Sequence, residues 1–192
     1  GKQYGVLVFD GSSTSVTGLS FQDVNTSNIL ALDLASPIID DSTFTIGIDG
    51  NGYDAAAVLA YGAGAGILGT MRIQNSEFTG NTQAECGQQG GGRSLIYIES
   101  SYIDLANLEL KDNAYGLFMK QSSGSLTNST IDVKCSGIDT NSHKVTGTIN
   151  HTLMINDNDI TTADGTGITA YDGAIVEANR NTISGAAQGS GF

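Results

Sequence analysis

Three observations in the amino-acid sequence predict an all-β fold, a right-handed parallel β-helix of about seven rungs with loop insertions. First, apolar residues nowhere hold the i, i+3, i+4, i+7 spacing of an amphipathic helix for more than a turn, while short alternating runs such as Ser94-Leu95-Ile96-Tyr97-Ile98-Glu99 recur. Second, a four-residue cassette repeats: a turn residue, any residue, a small or acidic residue, then an apolar one. It reads Gly18-Leu19-Ser20-Phe21, Asp41-Ser42-Thr43-Phe44, Asn75-Ser76-Glu77-Phe78, Asn107-Leu108-Glu109-Leu110, Asn128-Ser129-Thr130-Ile131, Asp157-Asn158-Asp159-Ile160 and Arg180-Asn181-Thr182-Ile183. Third, the steps between the final residues of these cassettes, from Phe21 to Ile183, are 23, 34, 32, 21, 29 and 23 positions, a base period of 21 to 23 with insertions in three rungs. A coil of that length, turning through three short strands, buries the inward residues of each rung on the rungs above and below.

Each rung is anchored by three columns. Five residues before each final apolar residue lies another small or apolar one: Val16, Ile39, Ile73, Leu105, Leu126, Ile155 and Ala178. Nine residues before those lie Leu7, Leu30, Gly64, Ile96, Leu117, Thr146 and Thr169. The insertions are assigned to Gly47–Gly69, Asn81–Arg93 and Ser136–Lys144. At a strand spacing of about 4.8 Å, seven rungs make a rod about 30 Å long. Asn75, Asn107 and Asn128 open three consecutive cassettes, where stacked amides would hydrogen-bond the turn backbone and tolerate a left-handed φ. A hexapeptide left-handed coil lacks its six-residue spacing here, and no rung holds the L-x-x-L-x-L core of a leucine-rich repeat.

The 192 residues suit one domain spanning 1–192, expected to be a segment of a longer chain or a stacking subunit. With 20 acidic residues against 8 Lys and Arg, the net charge is -12, which speaks against a nucleic-acid or anionic-membrane partner. No run approaches the roughly 20 apolar residues of a membrane-crossing helix, so no membrane insertion is expected. The 15% of charged residues leaves Asn, Ser, Thr, Gln and Gly to cover the surface, a common composition for extracellular or cell-surface proteins. Cys86 and Cys135 are open to two readings, one disulfide in an oxidising compartment or two plain thiols. Two rungs separate them, and only a loop reaching along the axis would bring them within bonding distance.

The cassette and its period resemble the parallel β-helix repeat of the pectate-lyase-like superfamily, over nearly the whole chain. That resemblance implies the fold and leaves the function open, since the fold carries lyases, hydrolases, epimerases, phage tailspikes and adhesins. Taking Leu7, Leu30, Ile96 and Leu117 as inward, strand alternation stacks Asp10, Asp33, Glu99 and Lys120 in one outward column with Asp172 near it. Glu99 and Lys120 then lie within ion-pair reach, and Tyr97 and Phe118 form an exposed aromatic pair beside them. Aromatic faces stack on sugar rings, so Tyr97, Phe118, Glu99, Asp33 and Asp10 make up a candidate carbohydrate-binding face. The plain alternative is a surface ion pair with an aromatic cross-rung pair supporting the sheet.

Gly116-Leu117-Phe118-Met119-Lys120-Gln121-Ser122 resembles the lysine strand of alginate and chondroitin lyases of this fold, which implies Lys120 as a catalytic base removing the proton α to a uronate carboxylate. In such lyases an Arg one rung further on and a Ca²⁺ assist; no Arg lies between Arg93 and Arg180, and Glu99 and Asp33 would be the oxygen ligands if Ca²⁺ were bound. No cofactor or other metal is expected. His143 and His151 lack the Gly-His-Gly context of polygalacturonase-type hydrolases, and the sole proline, Pro37, rules out an epimerase-type Asp-Pro-His-Asp. Asp157-Asn158-Asp159 lacks the glycine and distant Glu of a Ca²⁺ loop and reads as a turn. Sequons occur at Asn25-Thr26-Ser27, Asn128-Ser129-Thr130 and Asn150-His151-Thr152. Neither end shows a capping helix, so self-association through the end rungs, or continuation into flanking segments, is expected. The expected function is an extracellular structural module of a cell-surface, sheath, adhesin or tailspike-like protein; polysaccharide binding and polysaccharide lysis are the alternatives.

Overall fold

The computed structural model describes residues 4–22, 27–46, 56–64, 69–81, 86, 94–142 and 152–185. Among these residues there is no helix, and 21 strands form three parallel seven-stranded sheets. The first sheet holds β1 (Tyr4–Val8), β4 (Ser27–Leu32), β7 (Ala56–Tyr61), β10 (Ser94–Glu99), β13 (Tyr115–Lys120), β16 (Ser136–Asn141) and β19 (Thr166–Tyr171). The second holds β2 (Ser15–Thr17), β5 (Ile38–Asp40), β8 (Met71–Gln74), β11 (Tyr102–Ala106), β14 (Ser123–Thr127), β17 (Thr152–Asn156) and β20 (Ile175–Asn179). The third holds β3 (Ser20–Gln22), β6 (Thr43–Thr45), β9 (Glu77–Thr79), β12 (Glu109–Lys111), β15 (Thr130–Val133), β18 (Asp159–Thr162) and β21 (Thr182–Gly185). Each successive set of three strands is one turn of the coil.

Two of the expected columns coincide with the ladders. In the third sheet Phe21, Phe44, Phe78, Leu110, Ile131, Ile160 and Ile183 pair rung to rung. In the second, Val16, Ile39, Ile73, Leu105, Leu126, Ile155 and Ala178 do the same. The phenylalanines stack nearly parallel, with ring centroids 4.9 Å apart for Phe21 and Phe44 and 4.6 Å for Phe44 and Phe78. Rung spacing and ring-stacking distance nearly coincide, so the same side chain fits at successive levels.

The first-sheet column is corrected. Its inward ladder is Val6, Ile29, Val58, Ile96, Leu117, Ile138 and Ile168. Leu7, Leu30 and Thr169 stand one residue away, on the outer face, because the corner leading from the first sheet to the second is one residue longer in their rungs than after Ile96 and Leu117. A slip of one residue turns a side chain to the opposite face. Gly64 belongs to a corner, with φ +70°, and Thr146 lies outside the described residues. Two of the expected insertions contain strands: β7 lies within Gly47–Gly69 and β16 within Ser136–Lys144.

The corner between the second and third sheets is nearly invariant. Its first residue, Gly18, Asp41, Asn75, Asn107, Asn128, Asp157 or Arg180, has a φ between +47° and +65° in every rung. Asn, Asp and Gly tolerate this left-handed conformation best. In five rungs the next residue is polar, Ser42, Ser76, Ser129, Asn158 or Asn181, and these side chains form a polar ladder, interrupted at Leu108, that the unspecified second position of the cassette conceals. Ser42 N–H donates to Ser76 Oγ at 3.2 Å, Leu108 N–H to Ser129 Oγ at 3.1 Å, and Ser129 N–H to Asn158 Oδ1 at 2.9 Å. Asn158 N–H in turn donates to Asn181 Oδ1 at 3.0 Å. Thus corner amides that β pairing leaves over are satisfied by side chains of the neighbouring rung. Asn28 Nδ2, on β4, is a buried side-chain nitrogen with no hydrogen-bond partner.

Candidate functional site

The outer face of the first sheet gathers the chemistry. Its ladders place Leu30, Leu59, Tyr97, Phe118, Asp139 and Thr169 in one outward column, and Leu32, Tyr61, Glu99, Lys120, Asn141 and Tyr171 in the next. Tyr97 and Phe118 stack with ring planes 2° apart and centroids 5.4 Å apart, and Tyr61 tilts against Tyr97 at 5.5 Å. The aromatic pair is buried, at 8% exposure for each residue, and not exposed as the sequence suggests. The physical reason is a second apolar cluster, outside the coil, in which Leu30, Ala56, Leu59, Tyr97 and Phe118 pack with Leu32 and Tyr171.

Glu99 and Lys120 are neighbours across one rung, as their spacing implies. Lys120 Nζ lies 2.8 Å from Glu99 Oε1, and the Tyr97 hydroxyl donates to Glu99 Oε2 at 2.6 Å. Burial pushes the Glu99 carboxyl upward, but the hydrogen bonds from Lys120 and Tyr97 and the Lys120 charge outweigh it and hold the group below its ordinary range. Burial and the adjacent Glu99 carboxylate push the Tyr97 phenol far upward, so it remains a donor. The three groups satisfy one another. A lysine acting as base needs a free lone pair, and this ammonium is engaged with a carboxylate.

Asp10 and Asp33 do not join that column. Both are corner residues, with φ +56° and +51°, and they align with Gly62, Ser100 and Gln121 rather than with Glu99 and Lys120. The same one-residue offset that turns Leu7 and Leu30 outward carries the two aspartates past the strand end. Asp33 and Glu99 are therefore not brought together as oxygen ligands. Among the described residues, no group of three or more His, Cys, Asp and Glu side chains is arranged to hold a metal ion.

The structure adds residues to this face that the sequence reading leaves in an insertion. Asp139 is buried at 6% exposure, accepts a hydrogen bond from Ser136 Oγ at 2.8 Å, and is held above its ordinary range by burial despite the bonds from Ser136 and Thr169. Burial first, and then the Asp139 charge, raises the Tyr171 phenol. A signal for this rung exists: Tyr115-Gly116-Leu117, Ser136-Gly137-Ile138 and Thr166-Gly167-Ile168 share a glycine before the inward apolar residue. A Cβ at Gly116, Gly137 or Gly167 would lie 3.0 Å or less from Cγ2 of Ile131, Ile160 or Ile183, so the glycine column makes room for the isoleucines of the third sheet.

Cys86 and Cys135 form a disulfide, with Cα atoms 5.5 Å apart. It ties the connection between β9 and β10 to the corner before β16, where Cys135 is buried with Ala114 and Tyr115. A shallow polar trough of about 490 Å³ runs along the corner between the second and third sheets, lined by Asp41, Thr43, Asn75, Glu77, Asn107 and Glu109 among others. Asn107 Nδ2 donates to Asn75 Oδ1, and Asn75 Nδ2 to Asp40 Oδ1, both at 2.9 Å, while Lys111 bridges Glu77 and Glu109 at 2.6 and 2.7 Å. Asp157 is a turn residue, paired with Arg180 at 2.6 Å.

A family model described as a right handed beta helix region matches residues 2–192. The chain belongs to the right-handed β-helix family. Searches of curated proteins and of solved structures gave no match. In this β-helix the three parallel sheets, the left-handed corner column and the buried polar ladder account for the repeat; membership supplies no reaction, because the fold hosts many.

Proposed function

We propose that this chain is a structural β-helix module of an extracellular or cell-surface protein, a rod segment whose end rungs pair with further rungs. The supporting observation lies in the terminal rungs. Val6 and Phe21 at one end, and Val176, Ala178 and Ile183 at the other, occupy the core columns yet are only partly buried, whereas their partners in the middle rungs are closed to solvent. Leu7 and Phe9, at 49% and 53% exposure, add apolar surface at the first rung. Parallel edges carrying the same columns are complementary to one another, so a further rung, from flanking sequence or a second copy, extends every ladder at once. The disulfide supports an oxidising compartment. The mutual engagement of Lys120, Glu99 and Tyr97 favours the structural reading over lysis, and the burial of Tyr97 and Phe118 favours it over sugar stacking at that face.

Sedimentation across salt concentration tests the proposal. A net charge of -12 opposes end-to-end contact, and salt screens it, so association should rise with ionic strength. A monomer of 19.8 kDa at high salt and high protein concentration would overturn stacking between copies. Cleavage of alginate, pectate or chondroitin with Ca²⁺ present, lost in Lys120→Ala, would overturn the structural reading in favour of a lyase.

A further inference from the structure

The corner between the second and third sheets carries an outward amide ladder that stops before Asn128. Asn75 and Asn107 spend their Nδ2 groups on Asp40 and Asn75. Asn128 stands next in the same column, with φ +51° and its own N–H donating to Asn156 O, yet its side chain makes no hydrogen bond among the described residues. It is exposed at the end of the trough. Of the three asparagines, this one alone opens a sequon, Asn128-Ser129-Thr130, whereas Asn75 and Asn107 are followed two positions later by Glu77 and Glu109. The Thr130 side chain is exposed on β15 and its hydroxyl is also unengaged, while Ser129 between them points inward and is committed to the buried ladder through Thr127 O and Leu108 N–H.

We infer that Asn128 is an N-linked glycosylation site, placed where the amide ladder ends so that a glycan displaces no hydrogen bond of the coil. This rests on the extracellular reading, since the transfer occurs in a secretory compartment. The donor is an oligosaccharide carried on a lipid diphosphate. A bond forms between Asn128 Nδ2 and the anomeric carbon of the first sugar, the bond from that carbon to the diphosphate oxygen breaks, the lipid diphosphate leaves with the electron pair, and one Nδ2 proton passes to a base of the transferase. The modified amide keeps its carbonyl and one N–H. Because the glycan projects from a flank of the rod, it leaves β1 to β3 and β19 to β21 free to pair. The acceptor asparagines of the other sequons, Asn25 and Asn150, lie outside the described residues.

The test is secretion of the full chain, behind a leader peptide, from a eukaryotic cell, followed by peptide mapping with and without enzymatic glycan removal. Asn128 should carry glycan in most molecules, Thr130→Ala should abolish it, and Thr130→Ser should retain it. An unmodified Asn128 in secreted chain whose Cys86–Cys135 bond is formed would overturn the assignment. The mapping uses the unaltered chain, so it does not depend on either variant folding. Because the leader supplies the compartment, the outcome is independent of the stacking reading, which sedimentation of the same material judges separately.

Discussion

The corner between the second and third sheets is crossed in the same way in every rung, while the corner between the third and first sheets is crossed by residues 134–135 in one rung and by residues 80–93 in another. The first has a left-handed residue followed, at Ser42, Ser76, Ser129, Asn158 and Asn181, by a side chain that accepts from the backbone N–H of the preceding rung, so an added residue there would break hydrogen bonds between rungs. The second varies in length from two residues between β15 and β16 to fourteen between β9 and β10. Coupling alone does not fix a corner's length: between the first and second sheets Ala63 N–H donates to Ser101 Oγ and Ser101 N–H to Ser122 Oγ, yet that corner is crossed by residues 100–101 in one rung and 142–151 in another. Of the charged and phenolic groups on the first sheet's outer face, Glu99, Lys120 and Tyr171 end their strands and lie beside the corner between the first and second sheets.

The sharpest way to break this contrast is in the column that passes through the invariant corner. Phe78→Ala removes a fully buried ring from the middle of the coil and should cost about 3–5 kcal/mol by denaturant unfolding. A loss under about 1 kcal/mol would mean that neighbouring rungs collapse into the space, and that the column is not close-packed.

Two buried asparagines sharpen it next. Asn158 accepts from Ser129 N–H and donates to Leu126 O, Asn156 O and Asn181 Oδ1. Asn158→Ala, which takes the acceptor from the buried Ser129 N–H and a donor from Leu126 O, should cost about 2–3 kcal/mol. Asn28, equally buried but with an unpartnered Nδ2, should respond in the opposite sense: Asn28→Ala should be neutral or stabilise by up to about 1 kcal/mol. Equal losses in the two variants would refute the distinction between a ladder asparagine and an isolated one.

The outer face should show its character in acid. Glu99 has a folded-state pKa below its ordinary 4.5, so its contribution to stability is present above that value and is lost as pH falls through the lowered one. Asp139 has a folded-state pKa above its ordinary 3.8, so its contribution is present below 3.8 and is lost as pH rises through the raised one. Thermal melting at pH 7 should therefore find Glu99→Gln less stable than the parent and Asp139→Asn more stable, with both differences shrinking toward low pH. Shifts of the same sign at pH 7 would show that one of the two environments is misread.

The smallest effect belongs to the corner between the first and second sheets. Ser100 adopts φ +51°, a conformation that serine tolerates less well than glycine, which Gly62 supplies one rung earlier. Ser100→Gly should be worth no more than about 1 kcal/mol of stabilisation, offset in part by the greater freedom of glycine in the unfolded chain. A clear destabilisation would instead identify the contact of Ser100 Oγ with Gln121 as structural.

The sequence by itself determined the coil, its period, and two of its three core columns, because a left-handed turn residue followed by an apolar residue three positions later leaves a local signature that stacking must repeat. It also determined the neighbours Glu99 and Lys120, and Tyr97 and Phe118, whose rungs are separated by the uninterrupted period of 21. Only the tertiary structure decided the rest. A corner one residue longer turns Leu7 and Leu30 outward and carries Asp10 and Asp33 off the face, and spacing alone does not say on which side of a strand an extra residue falls. The approach of Cys86 to Cys135 across two rungs, the burial of Tyr97 and Phe118, and the arrival of Asp139 beside Phe118 all arise from contacts between residues distant in sequence, where no local pattern is required.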